Sequence, residues 1–240
     1  NEIADLQILT NAQCFPLFWY SKQKESRTLF DDSTTSVSGY IKEDSISEEI
    51  VRKFQTRFAD KSINAPSIFY YIYATLHSTG YKKKYENNFP KEMPRIPFLE
   101  NFWKYSEIGK KLADLHLNYE NAPAYVKVRI EKKCDDYRVD KIRFLSKDRK
   151  DTIIFNQNIT ISNIPLSAYD YVVNGRSPLE WVMDQYQYSV DSDSGIIDDP
   201  NQYDPIKGGK YIFDLILSLI TVSLETQKLI ASLPEYKELD

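Results

Sequence analysis

The chain of 240 residues is 42% hydrophobic and 28% charged, the composition of a globular protein with one sizeable core or two small ones. Its net charge of −4 argues by itself against a nucleic-acid partner, and its two cysteines are too few for a disulfide framework, so we expect a reducing cytoplasm. No signal peptide is evident, and the longest apolar run is too short to span a bilayer, so no membrane partner is expected.

The first part of the chain is predicted to hold an extended segment, a long loop and a helix. The aromatic run at residues 12–20 contains a proline and is typical of an edge strand or a packed extended segment. Residues 21–44 are rich in Ser, Thr, Asp and Lys and predict a loop. Capping residues at 45–49 then predict a helix that ends near Phe58. Its apolar residues at four-residue spacing are Ile46, Ile50, Phe54 and Phe58.

Two helices joined by a proline-rich corner are predicted in the middle of the chain. In residues 64–80 the apolar positions recur at three- and four-residue steps, with Pro66 suited to the first turn and Gly80 to the end. Pro94 and Pro97 remove backbone donors and stop helix formation at the corner. The inner face of the second helix would consist of Phe102, Tyr105, Ile108, Leu112 and Leu115.

After these helices the apolar period changes from about 3.6 residues to 2, which predicts a small antiparallel sheet at about 124–164. In a strand at 125–131, the inward residues would be Val126, Val128 and Ile130, and the outward ones would be Tyr125, Lys127, Arg129 and Glu131. A hairpin turn is predicted at 156–158. If the turns bring them together, the solvent side of the sheet would hold Lys127, Arg129, Lys132, Lys133, Arg138, Lys141, Arg143, Lys147, Arg149 and Lys150.

The helical period returns at residue 167, and Asn174-Gly175 is predicted to close a short helix. A capping box then starts a new helix, because Ser177 can cap its N-terminus, a proline follows and Glu180 stands at the third helical position. Residues 191–204 predict a loop, and 210–232 predict a last helix that is apolar over much of its circumference.

The fold class that these elements predict is α+β, with a helical block at about 45–117 and 166–233 and the small antiparallel sheet between them. We expect a single module over residues 1–240. Its sub-blocks would be helical at 1–120, sheet at 121–165 and helical at 166–240.

Charge is distributed unevenly along the chain. Residues 81–150 contain 18 Lys and Arg against 11 Asp and Glu, whereas residues 151–240 contain 5 against 14. Such segregation predicts either a positive stripe that meets phosphates or an ordinary solvated surface. Lys suits phosphates, while Arg can also bind a guanine edge. The candidate DNA-binding residues are Lys82, Lys83, Lys84, Arg95, Lys127, Arg129, Lys132, Lys133, Arg138, Lys141, Arg143, Arg149 and Arg176.

No catalytic or metal site is predicted. His77 and His116 lie near the ends of amphipathic helices without a Cys or Ser motif, which favours structural histidines. Cys14 and Cys134 are too far apart for a zinc motif, and residues 191–195 resemble the start of a calcium loop but lack its closing Glu. Neither a glycine-rich phosphate loop nor an Asn-Pro-Pro-aromatic methyltransferase motif occurs.

Eight segments stand out in their order along the chain: QCFPLFWY, SIFYYIYATLHSTGYKKKY, MPRIPF, LADLHLNYE, NITISNIP, AYDYVVNGRSPLEWVMDQYQ, SGIIDDPN and YIFDLILSLITVSLETQKLIASLP. Together they resemble the C-terminal target-recognition region of type ISP restriction-modification enzymes, over nearly the whole chain. In that family one polypeptide joins a nuclease, a helicase-like ATPase and an adenine methyltransferase to a DNA-reading module.

The resemblance implies sequence-specific recognition of double-stranded DNA and no catalysis by this part of the polypeptide. It implies that the full-length protein is a restriction endonuclease and DNA adenine methyltransferase that uses S-adenosylmethionine, ATP and Mg. The methyltransferase and helicase-like domains of the same polypeptide would be further partners of this module. A start at Asn1 instead of Met fits a fragment of such a protein.

Two alternatives stay open. The first is a helical protein-interaction or interdomain scaffold without DNA contact, and the second, which ranks below it, is an independent enzyme. The first is distinguished from a DNA reader by whether the positive residues of 81–150 converge on one concave face.

Overall fold

The computed structural model describes residues 15–22, 36–37, 40–88, 92–173 and 175–239. The chain forms two compact units, the first comprising Asn1–Lys110 with Leu233–Asp240 and the second Lys111–Ser232. Whether they act as one module stays a prediction. In the part of the chain that the structure describes, no helix is both long and apolar enough to cross a membrane.

The first unit contains a small sheet and several helices. Its antiparallel strands are β1 (Phe18–Lys22), β2 (Ser36–Val37) and β3 (Tyr40–Asp44), in the order β1-β3-β2. Its helices are α1 (Glu48–Phe58), α2 (Ala65–His77), α3 (Thr79–Tyr85) and the first part of α4 (Phe102–Leu117).

The predicted edge strand is confirmed from Phe18, where β1 begins; residues 15–17 are not part of the strand, and residues 12–14 lie outside the described residues. The loop prediction for 21–44 is wrong for β2 and β3, because Tyr40–Asp44 pairs along the whole length of β1. Residues 23–35 and 38–39 lie outside the described residues.

Both central helices are confirmed, with one boundary corrected. Asn64 caps α2 through a reciprocal pair of hydrogen bonds with Ser67, and Pro66 lies in the first turn. Gly80 does not end this helix. Ser78 instead accepts a hydrogen bond from the Tyr81 backbone N–H, and α3 continues from there.

An aromatic cluster forms the core of the first unit and fixes the proline-rich corner. The fully buried Tyr71 ring lies 5.0 Å from Phe102, with the two rings nearly parallel. The Tyr71 hydroxyl donates to the Pro97 carbonyl at 2.7 Å and accepts from the Leu99 backbone N–H at 2.7 Å. Burial raises the pKa of Tyr71, so this hydroxyl keeps its proton and holds both bonds.

The second unit is built around a four-stranded antiparallel sheet and a long helix. The strands are β4 (Arg129–Lys132), β5 (Arg143–Phe144), β6 (Ile153–Ile154) and β7 (Ile159–Ser162), in the order β4-β7-β6-β5. The later elements are α5 (Pro178–Gln185), the hairpin of β8 (Ser189–Val190) with β9 (Ile197–Asp198), and α6 (Gly209–Ala231). Short 3-10 turns occur at Tyr119–Asn121, Leu166–Tyr169 and Pro200–Gln202.

The core of this unit lies between the sheet and α6. Ile153, Ile159 and Ile161 from the sheet are fully buried in one cluster with the α6 residues Ile212 and Ile216. The burial explains why α6 is apolar over so much of its circumference. The α+β prediction is confirmed, as are the last helix, the hairpin turn at 156–158 and the capping box before α5.

The predicted strand at 125–131 is wrong in its first half. The chain is tied to α6 at this point, because the Tyr125 backbone N–H donates to the Leu217 carbonyl at 3.1 Å. It then turns, and pairing starts only at β4. Val126 is consequently 85% exposed and Ile130 39% exposed, and only Val128 of the predicted inward residues packs against the core.

Two further expectations in this unit are corrected. The short helix expected from residue 167 is only the 3-10 turn Leu166–Tyr169, and Gly175 has φ +81° in a tight turn between the bridged residues Val173 and Arg176. The loop expected at 191–204 contains β9 and a 3-10 turn.

Candidate nucleic-acid interface

The pairing register assigns the residues of the second unit's sheet to its two faces, because cross-strand partners point to the same side. The buried pair Ile153 and Ile161 marks the core side. By the same register the opposite side, called the outer face below, consists of Arg129, Glu131, Arg143, Ile154, Thr160 and Ser162.

The outer face has an ion pair on its β4 edge. Arg129 and Glu131 are two residues apart on one strand, so both side chains project to the same side, and an Arg129 guanidinium nitrogen lies 3.0 Å from Glu131 Oε1. Their side chains are 70% and 58% exposed. A pair this exposed contributes at most about 1 kcal/mol, so either group can exchange its partner for a ligand at little cost.

Arg143 lies at the opposite edge of the outer face, on β5. Two strands separate it from β4, and at about 4.8 Å per strand the edges stand about 14 Å apart, close to the roughly 12 Å width of the DNA major groove. Among the described residues, no carboxylate lies within ion-pair distance of Arg143. Its charge is therefore available to a phosphate or a base.

Amide side chains hold the irregular segment 136–142, which leads into β5. Asn201 Oδ1 accepts from the Val139 backbone N–H at 2.7 Å, and Asn201 Nδ2 donates to the Val139 carbonyl at 2.9 Å. In the same way, Gln187 Oε1 accepts from the Ile142 backbone N–H at 3.1 Å, and Gln187 Nε2 donates to the Ile142 carbonyl at 2.9 Å. These bonds replace the neighbouring strand that the segment lacks.

A third amide, Asn156, holds the same segment from the hairpin between β6 and β7. Its Nδ2 donates to the Asp136 and Arg138 carbonyls at 2.9 Å each, and the side chain is almost fully buried. The backbone under Arg138 and Lys141 is thereby fixed, while both side chains stay in solvent. A basic side chain on a fixed backbone loses less entropy when it binds.

Other predicted basic residues of the second unit have partners of their own. Lys132 binds Asp135 at 2.8 Å and the Tyr137 hydroxyl at 2.6 Å, and Lys133 donates to a backbone carbonyl at 3.2 Å. The remaining ion pairs join Arg138 to Asp140, Arg149 to Asp151, Lys150 to Glu180 and Arg176 to Asp184.

The prediction that all ten basic residues share the solvent side of the sheet is wrong. The register puts only Arg129 and Arg143 there, and it puts Lys132 on the other side, opposite the buried Ile159. The other seven lie outside the strands, because these are only two to four residues long. Lys127, Lys141 and Lys147 have no ion pair with any described residue.

The first unit holds the remaining candidates. Lys82, Lys83 and Lys84 lie on α3, and Lys84 binds Glu238 at 2.7 Å. Arg95 binds Glu92 at 2.9 Å. Since the positive residues of 81–150 are divided between the two units, their convergence on one concave face stays untested.

Both histidines have structural surroundings. His77 Nδ1 lies 2.8 Å from the Tyr73 carbonyl, and burial lowers the pKa of this histidine. His116 Nε2 lies 2.8 Å from Thr226 Oγ1, and its ring lies 5.3 Å from Tyr171 in a parallel arrangement. Each histidine thus contacts residues of its own unit, and a structural role for both stays a prediction.

The calcium-like sequence forms a local turn in which Asp191 Oδ1 accepts from the backbone N–H groups of Asp193 and Ser194. Within the described ranges, no three His, Cys, Asp or Glu side chains are grouped closely enough to hold a metal ion. Cys134 is exposed and has a free thiol, while Cys14 lies outside the described residues.

Sequence reasoning considered only basic residues and missed the neutral part of the outer face, which is Ile154, Thr160 and Ser162. The alternation of buried and half-buried residues along β7 could have been predicted from the period-2 pattern of its sequence. The strand pairing could not have been predicted, because β5 and β6 have only two residues each and give no pattern from which a register can be derived.

Comparison with protein families matches residues 1–215 to the Type ISP C-terminal specificity domain. No curated protein matches the chain. Among solved structures, a nuclease-deletion mutant of the Type ISP restriction-modification enzyme LlaGI in complex with a DNA substrate mimic is 51% identical, covers 74% of this chain and has a TM-score of 0.69.

Two further solved structures are similar over more of the chain. The ATP-dependent Type ISP restriction-modification enzyme LlaBIII bound to DNA is 40% identical over 93% of this chain, with a TM-score of 0.81. A DrdV–DNA complex is 28% identical over 83% of this chain, with a TM-score of 0.71. The chain spans 14% of the length of the LlaGI and LlaBIII chains and 21% of the DrdV chain.

Proposed function

The chain belongs to the Type ISP C-terminal specificity domain family, and we propose that it recognises a double-stranded DNA sequence, with the outer face of the second unit's sheet turned to the DNA. The observation that supports DNA as the ligand is the similarity, over 93% of this chain, to a Type ISP enzyme bound to DNA. The outer face supports the choice of surface, because it combines an arginine at each edge with hydroxyl and apolar groups between them.

Phosphate contacts belong, in this proposal, to basic residues around the outer face. Lys127 stands in the turn just before β4, and Lys141 lies two residues before Arg143 at the other edge. Both are exposed. Ammonium groups on either side of a base-reading surface fix the register of a duplex without distinguishing its sequence.

The remaining activities belong, in this proposal, to a longer polypeptide of which the chain is a part. That polypeptide would hold the nuclease, the helicase-like ATPase and the adenine methyltransferase, and would use ATP, Mg and S-adenosylmethionine outside this module. The chain itself would select the site without catalysis. DNA as substrate and the presence of only two cysteines support a cytoplasmic location.

The 240-residue chain is expected to bind duplex DNA at low salt, with an affinity that falls steeply as salt increases. Each phosphate that a basic side chain neutralises contributes about 0.9 to the slope of the logarithm of affinity against the logarithm of salt concentration. A titration by fluorescence anisotropy from low to physiological salt measures this slope. Absence of binding at every salt concentration would remove the proposed function and favour the scaffold alternative.

Lys127→Ala is expected to weaken DNA binding by a similar factor on all sequences and to lower the salt slope by about 1. The melting temperature should stay nearly unchanged, because exposed substitutions usually alter stability by less than about 0.5 kcal/mol. The matched control is Lys228→Ala, which removes an exposed lysine from α6 of the same unit. If both variants bind as the wild type does, the phosphate path lies elsewhere, with Lys82–Lys84 the next candidates.

A further inference from the structure

We infer that Glu131, together with Arg129, reads a G·C base pair in the DNA target, so that a carboxylate contributes to sequence recognition. This inference rests on the proposed function and adds to it a base preference and a residue outside the basic set. Glu131 places a negative charge on the surface that would face DNA.

A carboxylate on such a surface repels phosphates, and a face that bound only the DNA backbone would gain from its absence. Glu131 nevertheless projects from the outer face beside Arg129, and its side chain is 58% exposed. The nearby basic residues of the turns and loops suit phosphates, whereas a base edge can satisfy a carboxylate.

The two side chains present complementary hydrogen-bonding groups within 3.0 Å of each other. An arginine donates to O6 and N7 of guanine in the major groove, and a carboxylate accepts from the N4 amino group of cytosine. These two edges lie side by side in one G·C base pair. Across the major groove G·C presents two adjacent acceptors and then a donor, which matches an arginine bound through two hydrogen bonds beside a carboxylate. A·T presents acceptor, donor and acceptor, so the adenine amino group would face the guanidinium.

The residues beside Glu131 extend this mixed chemistry across the sheet. The register aligns Glu131 with Thr160, Thr160 with Ile154, and Ile154 with Arg143 in one row across the four strands. The row offers an acceptor, a hydroxyl, an apolar group and a donor. Such variety is typical of a surface that distinguishes bases, since phosphate contacts require only donors.

The row is open to a ligand at its β4 end. Among the residues that the structure describes, β4 forms an edge of this sheet, and all four of its residues are exposed. A duplex can therefore approach Arg129 and Glu131 without any change in the pairing of the sheet.

The test is selection of binding sites from a random duplex pool by the 240-residue chain and by Glu131→Gln. The wild type is expected to select a site that contains a G·C pair, and replacement of that pair by A·T should weaken binding about 5- to 150-fold. In Glu131→Gln the same replacement should weaken binding by a smaller factor, because a neutral amide accepts more weakly than a carboxylate while Arg129 still contacts the guanine. The variant should keep its melting temperature and should bind random DNA at least as tightly as the wild type.

The matched control is Glu225→Gln, which neutralises a carboxylate that is ion-paired with Lys228 on α6 of the same unit. It should select the wild-type site. If replacement of the G·C pair by A·T weakens the binding of Glu131→Gln as much as that of the wild type, the inference is overturned while the proposed function stays intact. Binding without any base preference by the wild type would also overturn it, and failure of the wild type to bind DNA would overturn both.

Discussion

Gly109→Ala is expected to destabilise the first unit severely, because α2 and α4 pack against each other with no room for a side chain at this position. A Cβ atom at Gly109 would lie 1.8 Å from the Tyr70 carbonyl oxygen and 3.2 Å from the Ala74 Cβ. The oxygen belongs to the backbone in the middle of α2, so it cannot rotate away as a flexible side chain could. The two helices would have to separate.

The magnitude follows from two opposing terms. Alanine favours a helix over glycine by about 1 kcal/mol, which stabilises the variant. Overpacking costs about 1–3 kcal/mol and more where the backbone must move, and separating the helices also loosens the aromatic cluster around Tyr71 and Phe102. We therefore expect a net loss of about 2 kcal/mol or more in the free energy of unfolding.

Urea denaturation with a circular dichroism readout measures this loss. Lys110→Ala is the control, because Lys110 is the exposed neighbour of Gly109 on the same helix. It should change the free energy of unfolding by less than about 0.5 kcal/mol. A Gly109→Ala variant as stable as this control would show that the two helices do not pack as closely as the structure has them.

Elements set by neighbouring residues could be predicted from the sequence. The capping box of Ser177 and Glu180 closes within four residues, and its reciprocal hydrogen bonds form as the sequence indicates. The apolar faces of α4 and α6 follow the helical period because each covers a core. In these cases the local preference and the tertiary environment agree.

Features set by distant residues could not be predicted. The strand expected from residue 125 is shortened because Tyr125 bonds to Leu217, which belongs to a helix far along the chain. Similarly, the segment 136–142 is held by Asn201, which is 62 positions from its partner Val139. A local pattern contains no information about such partners, so the extended character was recognised and the pairing was not.

The candidate site shows the same limit. Period-2 alternation places Arg129 and Glu131 on one side of a strand, and the structure confirms that placement. The row that connects Glu131 to Thr160 and Arg143 depends on the register of four short strands, and it emerges only in the folded unit. The DNA-binding residues predicted from the sequence were moreover only Arg and Lys, so Glu131 was left out although a carboxylate can also contact a base.

Asn156→Asp is expected to destabilise the second unit by about 3 kcal/mol or more at pH 7, although the two side chains have almost the same shape. The Asn156 amide donates to the Asp136 and Arg138 carbonyls, and its Oδ1 accepts from the backbone N–H groups of Asn158 and Ile159 at 2.8 Å each. A carboxylate can keep the accepted bonds. It would, however, point an unprotonated oxygen at two carbonyl oxygens in a nearly fully buried site.

The pH dependence of this variant has a defined sign. Burial and the two facing carbonyls raise the pKa of the new carboxyl in the folded state above the value of about 3.9 that it has in the unfolded chain. At pH 7 the folded state therefore bears a charge that its environment disfavours. As the pH falls, the carboxyl gains a proton and donates to one carbonyl, so the deficit relative to the wild type should become smaller between pH 7 and pH 4.

Chemical denaturation at pH 7 and at pH 4 measures both the deficit and its change. Gln157→Glu is the matched control, because it adds the same charge at the next residue, where the side chain is exposed. It should cost less than about 0.5 kcal/mol at pH 7. A deficit of Asn156→Asp that grows on acidification would contradict the assigned orientation of the Asn156 amide, because only an amide nitrogen turned toward the two carbonyls leaves a carboxylate there without a donor.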